Sequence, residues 1–385
     1  MSASSAAGEA LVAIVRRLAW PRRAGSDGDR SVRRELAAAL AAAGLDAEED
    51  GFSFTSGPAL MVFRAAFLLV ALANLLVALG GRVAALLAAV GLLAVGGALL
   101  VLVARWDGLF GLAAPGHPGR KTTANSMVRT GDPRPRRRLV LVAHHDSKSQ
   151  NLPFLVRGLA AAFLALGFLG QGAVTALLAG GLGQNPAFLA ARLACAVGAV
   201  GAVLLAGLTF GNRSPGALDN GGSVAVVLET VKALADSLPR GTEVIAVFTG
   251  AEEDLLVGAR VLLRRLGPLP AAPCRILNLD GVGAGGPVGL LGPRRLRRWA
   301  EDVARARGIP VRALPALPGA ATDALVLGRE GREVLTLSSS RPNRAVRAIH
   351  TPRDLPENLD PAALAQARGL LEALARDFLE GGDGS

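Results

Sequence analysis

Hydrophobic residues in this 385-residue chain concentrate in four long runs, roughly 61–79, 83–104, 159–182 and 193–210, which hold almost no charge. Each is close to the ~20 residues that a helix needs to cross the hydrocarbon layer of a bilayer. They come in two pairs, the first turning at Gly80-Gly81-Arg82 and the second across a loop that contains Asn185-Pro186. Four such runs exceed what one small core could cover, so the pattern predicts two transmembrane hairpins rather than buried core helices. Asn74 and Gln171 fall inside spans and are expected to hydrogen-bond to a neighbouring helix.

Outside the hairpins the period changes. From about Leu11 to Leu45 the pattern is amphipathic and helical, in two pieces separated by Pro21 and the Gly25 to Gly28 turn, and Phe52 with Phe54 suggests a short strand. Apolar runs of strand length follow at 139–143, 243–249, 275–279 and 333–337, alternating with helical stretches at roughly 222–235, 254–266, 293–306 and 361–379. Such alternation predicts an α/β unit with a largely parallel sheet covered by helices on both faces.

Composition strengthens the membrane reading. With 51% hydrophobic residues and a mean hydropathy of +0.40, the chain is too apolar for an ordinary soluble protein. The formal charge of +11 raises nucleic-acid binding, but the basic residues are scattered, Tyr is absent, and Trp and Phe do not interleave with Arg in a stacking platform. A nucleic-acid partner is therefore set aside. Cys195 and Cys274 give no disulfide framework, and Arg16 and Arg17 interrupt the first apolar run too early for a cleaved secretory signal.

In open α/β sheets reactive groups gather at the carboxyl ends of the strands. Three strands here deliver polar groups at that point: His144-His145-Asp146-Ser147, Gly250-Ala251-Glu252-Glu253 and Asp280-Gly281. Two further clusters, Gly216-Ala217-Leu218-Asp219-Asn220 and Ile349-His350-Thr351-Pro352, stand in loops. Taken singly, each has a plain explanation as a hydrogen-bonded pair, a solvated helix start or a turn. Together, carboxylates converging on a low-dielectric crevice require a counter-charge, and imidazole with carboxylate and no nearby Cys suits catalytic zinc, or manganese or cobalt. His145 and His117 are read as non-ligands.

Those five segments, in that order, resemble metallopeptidase family M28, the bacterial leucyl aminopeptidase type of co-catalytic zinc exopeptidase. The resemblance implies the zinc exopeptidase fold, a mixed, largely parallel sheet between helices, and a two-zinc site that hydrolyses peptide bonds and releases N-terminal residues. Carried over residue by residue, it makes Asp219 the carboxylate that bridges two metals. It pairs His144 with Asp280 on one metal and Glu253 with His350 on the other. Glu252 becomes the general base and Asp146 the group that fixes the His144 imidazole, while Asp323 receives no role.

The expected plan is a helical start of the peptidase unit (1–57), a hairpin (58–105), the segment with the first metal motif (106–153), a second hairpin (154–211), the main part of the unit (212–380) and a disordered tail (381–385). Each insertion has an even number of spans, so the catalytic pieces stay on one side of the membrane. Nine Lys or Arg between 105 and 148, against sparsely charged hairpin turns, put that side in the cytoplasm of a bacterium by the positive-inside rule. The expected partners are a peptide substrate and the bilayer; the sequence does not define an oligomeric state. The competing readings are a one-zinc enzyme of the glutaminyl-cyclase type and a non-catalytic membrane receptor, the latter opposed by the complete ligand set.

Overall fold

The computed structural model describes residues 3–81, 119–183, 185–270, 272–315, 321–341 and 343–382, with positions 83, 87, 88, 90, 91, 96, 97, 111 and 112. Most of the predicted span 83–104, His117 and most of the predicted tail fall outside the described residues. The chain divides into two compact units, one formed by 1–54, 112–149 and 211–385, the other by 55–111 and 150–210.

The first unit is built on a sheet with eight strands of three or more residues: β1 (Ala47–Thr55), β2 (Lys121–Gly131), β3 (Arg137–His144), β4 (Thr242–Thr249), β5 (Cys274–Leu279), β6 (Val288–Leu291), β7 (Val311–Ala313) and β8 (Glu333–Ser339). Their spatial order is β7-β6-β8-β5-β3-β4-β2-β1. The centre, β8-β5-β3-β4, is parallel, whereas β1, β2 and β6 pair antiparallel with their inner neighbours. The mixed, largely parallel sheet expected from the sequence is therefore present.

Strand alternation explains the two-sided core. Leu139, Leu141 and Ala143 of β3 face one layer, and Val140 and Val142 face the other, every one fully buried. The first layer holds α1 (Ala3–Leu18), α2 (Asp27–Ala41), α6 (Gly222–Ala235), α8 (Arg294–Ala306) and α9 (Pro361–Glu380), which contribute Leu11, Leu36, Val227, Trp299 and Leu374 among others. The second holds α7 (Val257–Leu266) and residues 324–327, through Ala259, Leu262, Val326 and Leu327. Two helices start as their sequences demand: Ser26 caps α2 by accepting from Asp29 N, and Asp360 caps α9 ahead of Pro361.

One local expectation fails, and one strand was not expected. Helix α7 begins at Val257 rather than near 254, because Ala251, Leu255 and Leu256 adopt positive φ and keep the preceding loop out of helix. The eleven-residue strand β2 carries no apolar run, and its buried Thr123, Asn125 and Ser126 hid it from the sequence pattern.

The second unit holds α3 (Gly57–Leu79), α4 (Phe154–Ala179) and α5 (Pro186–Ala206), three helices long and apolar enough to cross a membrane. α5 starts at Pro186, before the apolar run, since Asn185 caps it by accepting from Ala187 N. A methyl group added at Gly167 of α4 would lie 2.6 Å from the Cα of Gly198 in α5 and 2.8 Å from Asn74 Oδ1 of α3, so the missing side chains permit a close crossing. Asn74 differs from expectation: its amide donates to Val70 O of its own helix (3.1 Å), and its oxygen rests over the two glycines. Gln171 Nε2 has no partner among the described residues. Leu69, Leu72, Leu79, Leu169 and Leu189 are exposed.

Candidate metal centre

Strands β3, β4 and β5 run parallel, so their carboxyl ends deliver His144, the loop after Thr249 and Asp280 to one edge of the sheet. Asp219 joins them from the turn before α6. Its neighbour Asn220 locks that turn to the β5 loop, donating to Leu279 O (3.0 Å) and accepting from Gly281 N (3.0 Å). Gly216 opens the turn at φ 62°, where a Cβ would meet Ser147 at 2.6 Å. His350 arrives from the loop after residues 344–348, itself at φ 63°.

These side chains form two groups that share Asp219. His144, Asp219 and Asp280 make one, and Asp219, Glu253 and His350 the other, each with its ligand atoms within 4.8 Å of one another. Asp219 Oδ1 lies 3.1 Å from His144 Nε2, and its Oδ2 lies 3.0 Å from His350 Nε2, so each oxygen serves a different imidazole. His350 Nε2 is also 3.0 Å from Glu253 Oε1. Neither of those buried atoms has a partner in hydrogen-bond geometry among the described residues. Two buried ligand atoms this close, neither satisfied by a well-aligned hydrogen bond, fit a shared cation.

Charge supports the same fit. Burial, with like charge from Asp219, Asp323 and Glu253 and only His144 opposing, pushes the Asp280 carboxyl up to about 8. Burial also lifts Glu252 well above the carboxylate range, against the pull of His144, with Glu253, Asp280 and Asp323 adding to the rise. Burial raises Asp219 and Glu253 too, but there the partners win. Hydrogen bonds and charge from His144 and His350 hold Asp219 well down, and His350 with Lys148 brings Glu253 to about 2. Carboxylates that burial raises in this way, Asp280 to about 8 and Glu252 beside it, are groups for which a divalent ion supplies the missing counter-charge.

The loops carrying these groups are tied together from below. Asp146 Oδ1 accepts from Glu252 N (3.1 Å) and its Oδ2 from Glu253 N (3.3 Å), so its carboxylate holds the Glu252-Glu253 loop. The His144 ring is addressed mainly by the Asp146 backbone carbonyl, 3.1 Å from Nδ1, with the carboxylate at 3.6 Å. Glu252 Oε2 stands 3.9 Å from His144 Nε2. His145 points away: its Nε2 meets Asp29 Oδ1 at 2.8 Å and its Nδ1 faces Phe248 O at 3.2 Å.

Four residues given no role from sequence belong to the surroundings. Asp354 accepts from Leu218 N (2.7 Å) and Asp219 N (3.2 Å) and so fixes the turn that carries Asp219; burial pushes its carboxyl to about 7. Lys148 Nζ lies 2.6 Å from Glu253 Oε2. Asp323 accepts from the Thr249 hydroxyl and leaves Oδ1 without a partner among the described residues. Asp29 anchors His145. Of these, Asp323 was singled out in the sequence without a role, and Asp354 had a signal there as a carboxylate four positions after His350.

Residues 197–375 match the family model described as Peptidase family M28. The matched segment contains Asp219, Glu252, Glu253, Asp280 and His350; His144 and Asp146 lie ahead of it, beyond the apolar helices α4 and α5. Among solved structures, the chain is similar in fold to the aminopeptidase from Aneurinibacillus sp. strain AM-1, at 14% identity, 96% of this chain, 93% of that one and a TM-score of 0.55. It is similar also to BSAP, a zinc aminopeptidase from Bacillus subtilis (15% identity, 96% and 95% covered, TM-score 0.56). Porphyromonas gingivalis glutaminyl cyclase is a third (16% identity, 96% and 98% covered, TM-score 0.55). No curated protein matches the chain.

Proposed function

We propose that this chain is a membrane-anchored, metal-dependent peptidase that removes N-terminal residues from peptides, using two divalent ions, most simply zinc. One observation carries the reading: the two oxygens of Asp219 each face a different imidazole, within two ligand groups that have only Asp219 in common. Asp219 would bridge, with His144 and Asp280 on one ion and Glu253 and His350 on the other. Bound there, the ions would acidify a water and polarise the scissile carbonyl.

The chain's own groups supply the rest. Glu252, buried with its Oε2 3.9 Å from His144 Nε2, is placed beside the ligand groups to take a proton from the water and return it to the departing amine nitrogen. Asp146 keeps Glu252 and Glu253 apart in role by holding both amides, so one carboxylate turns to the metal pair while its neighbour remains available to the proton. Three apolar helices and the basic residues between 105 and 148 support an integral protein with its peptidase unit on the cytoplasmic face.

Elemental analysis of the detergent-purified chain, with free and N-acetylated peptides as substrates, tests the reading. Two metals per chain and cleavage of free N-termini alone are expected. One metal with cyclisation of N-terminal glutamine would assign a glutaminyl-cyclase chemistry instead, and no metal in an active protein would overturn the metal centre altogether.

A further inference from the structure

Arg22 is among the largest fully buried side chains of the molecule, and it makes no ion pair among the described residues. It follows Pro21 in the connection from α1 to α2, far in sequence from every candidate ligand. Its guanidinium spends its donors on backbone carbonyls instead. Nε donates to His145 O (2.6 Å), Nη2 to Gly216 O (2.7 Å), and Nη1 to Pro215 O and to Leu18 O (3.3 Å), with Trp20 O at 3.5 Å.

The backbone of Arg22 closes the same knot. Its N–H donates to Ser147 Oγ (3.3 Å), its carbonyl accepts from Ser147 N (3.3 Å), and Ser147 Oγ donates to Ser214 O (2.9 Å). Three chain segments thus meet on one side chain: the α1–α2 connection, residues 145–147 directly after His144, and residues 214–216 directly before the Asp219 turn. A planar fork with five N–H donors can serve three segments at once, which the single nitrogen of Lys cannot. The Gly216 turn approaches so closely that a Cβ there would lie 3.0 Å from Nη1. The cation also stands where its charge acts on Asp354, Asp146, Asp219 and Glu253.

We propose that Arg22 is a positioning residue for the metal centre: by gripping the carbonyls of His145 and of Pro215-Gly216 it sets the separation of His144 from Asp219, so that the ligands are preformed. This rests on the metal reading above. It gives a reason for a buried cation that makes no direct ion pair to stand beside this group of carboxylates. Removing it would relax the loops and lower metal affinity even though Arg22 touches no metal, as outer-shell changes commonly do by about 10- to 100-fold.

The test compares full-length wild type, Arg22→Lys and Ser147→Ala, each stripped of metal, by zinc titration, by the visible spectrum of the cobalt form and by thermal unfolding without metal. Arg22→Lys is expected to bind zinc about 10- to 100-fold more weakly, with an altered cobalt spectrum and a metal-free chain that still unfolds in one cooperative transition, at a temperature lowered by the hydrogen bonds Lys does not make. Ser147→Ala, which cuts the knot but leaves the buried charge, should show a smaller loss in the same direction. Wild-type affinity and spectrum in both variants would overturn the proposal; if Arg22→Lys does not fold, wild-type affinity in Ser147→Ala overturns it alone. A wild-type chain that binds no metal would instead overturn the metal reading.

Discussion

Asp29 on α2 offers a quantitative test of how the loops of the candidate metal centre are supported. The side chain is fully buried, and its carboxylate takes three hydrogen bonds: from His145 Nε2 at 2.8 Å, from Thr123 Oγ1 at 2.9 Å and from Gly25 N at 3.0 Å. Asp29→Ala strands all three groups away from water. A buried bond to a charged partner contributes about 1.5–3 kcal/mol and a neutral one about 1 kcal/mol, so the loss is about 3.5–5 kcal/mol. Removing one member of a buried pair independently gives about 3–5 kcal/mol. For a unit of this size a loss of about 4 kcal/mol corresponds to a fall in melting temperature of roughly 8–16 °C. Burial pushes the Asp29 carboxyl up, but His145, the Gly25 amide and Thr123 outweigh it and hold it below its ordinary range. Its stabilisation is therefore complete above the unfolded carboxyl's ~4 and disappears as pH falls through the lower folded value. Melting followed by tryptophan fluorescence in detergent, as a function of pH, should show wild type and Asp29→Ala far apart at pH 7 and converging below about 4. A difference under ~1 kcal/mol at neutral pH, less than one ordinary hydrogen bond, would refute this account of how His145 is anchored.

Glu252→Gln should retain metal and lose about 10²- to 10⁴-fold in kcat, because an amide of the same shape cannot accept the proton; a loss below tenfold with metals in place would remove Glu252 from the role of base. Asp219→Ala should reduce occupancy of both metal positions together, measured by elemental analysis, whereas loss of a single ion would show that Asp219 does not bridge. Gly167→Val forces a side chain against Gly198 Cα and Asn74 Oδ1, and should destabilise the apolar helices by about 1–3 kcal/mol; unchanged thermal stability in detergent would mean that the crossing is looser than drawn. Single cysteines at the exposed Pro133 and Leu182, with Cys195 and Cys274 replaced, report orientation to a membrane-impermeant thiol reagent on intact cells. Labelling at Leu182 and protection at Pro133 are expected, and the reverse would place the peptidase unit outside.

What could be read from the sequence was local. Apolar strands of the β3 and β4 kind announce themselves, and polar residues directly beyond their carboxyl ends, His144 and Glu252-Glu253, follow from the topology of parallel sheets. The supporting shell was not legible for a physical reason: Arg22 meets Gly216 and Asp29 meets His145 across separations of 194 and 116 residues. In one dimension Arg22 is one basic residue among many and Asp29 one acid in a helix start. Strand β2 was missed because it is polar where it supports the site: Asn125 accepts from Gly250 N and donates to Gly258 O, gripping the loop of Glu252 from beneath. The positive φ at Ala251, Leu255 and Leu256 was equally invisible, since none of the three is a residue whose identity signals that conformation.

The two apolar segments leave the first unit through narrow joints. Phe54 of β1 and Lys121 of β2 are Cα partners across adjacent antiparallel strands, and Ser149 Oγ accepts from Arg213 N at 3.1 Å. Apart from the two-residue strand Gly111–Leu112, which extends the sheet beside β1, everything between each pair of residues is, for the sheet, a single long loop, and the entropy of closing a loop rises only with the logarithm of its length. Excision is thus geometrically available at both points: a short turn in place of 56–120 and another in place of 150–210 would rejoin ends that already touch. The apolar helices are a detachable appendage of the sheet unit, and a gene could gain or shed them while keeping all eight of its longer strands.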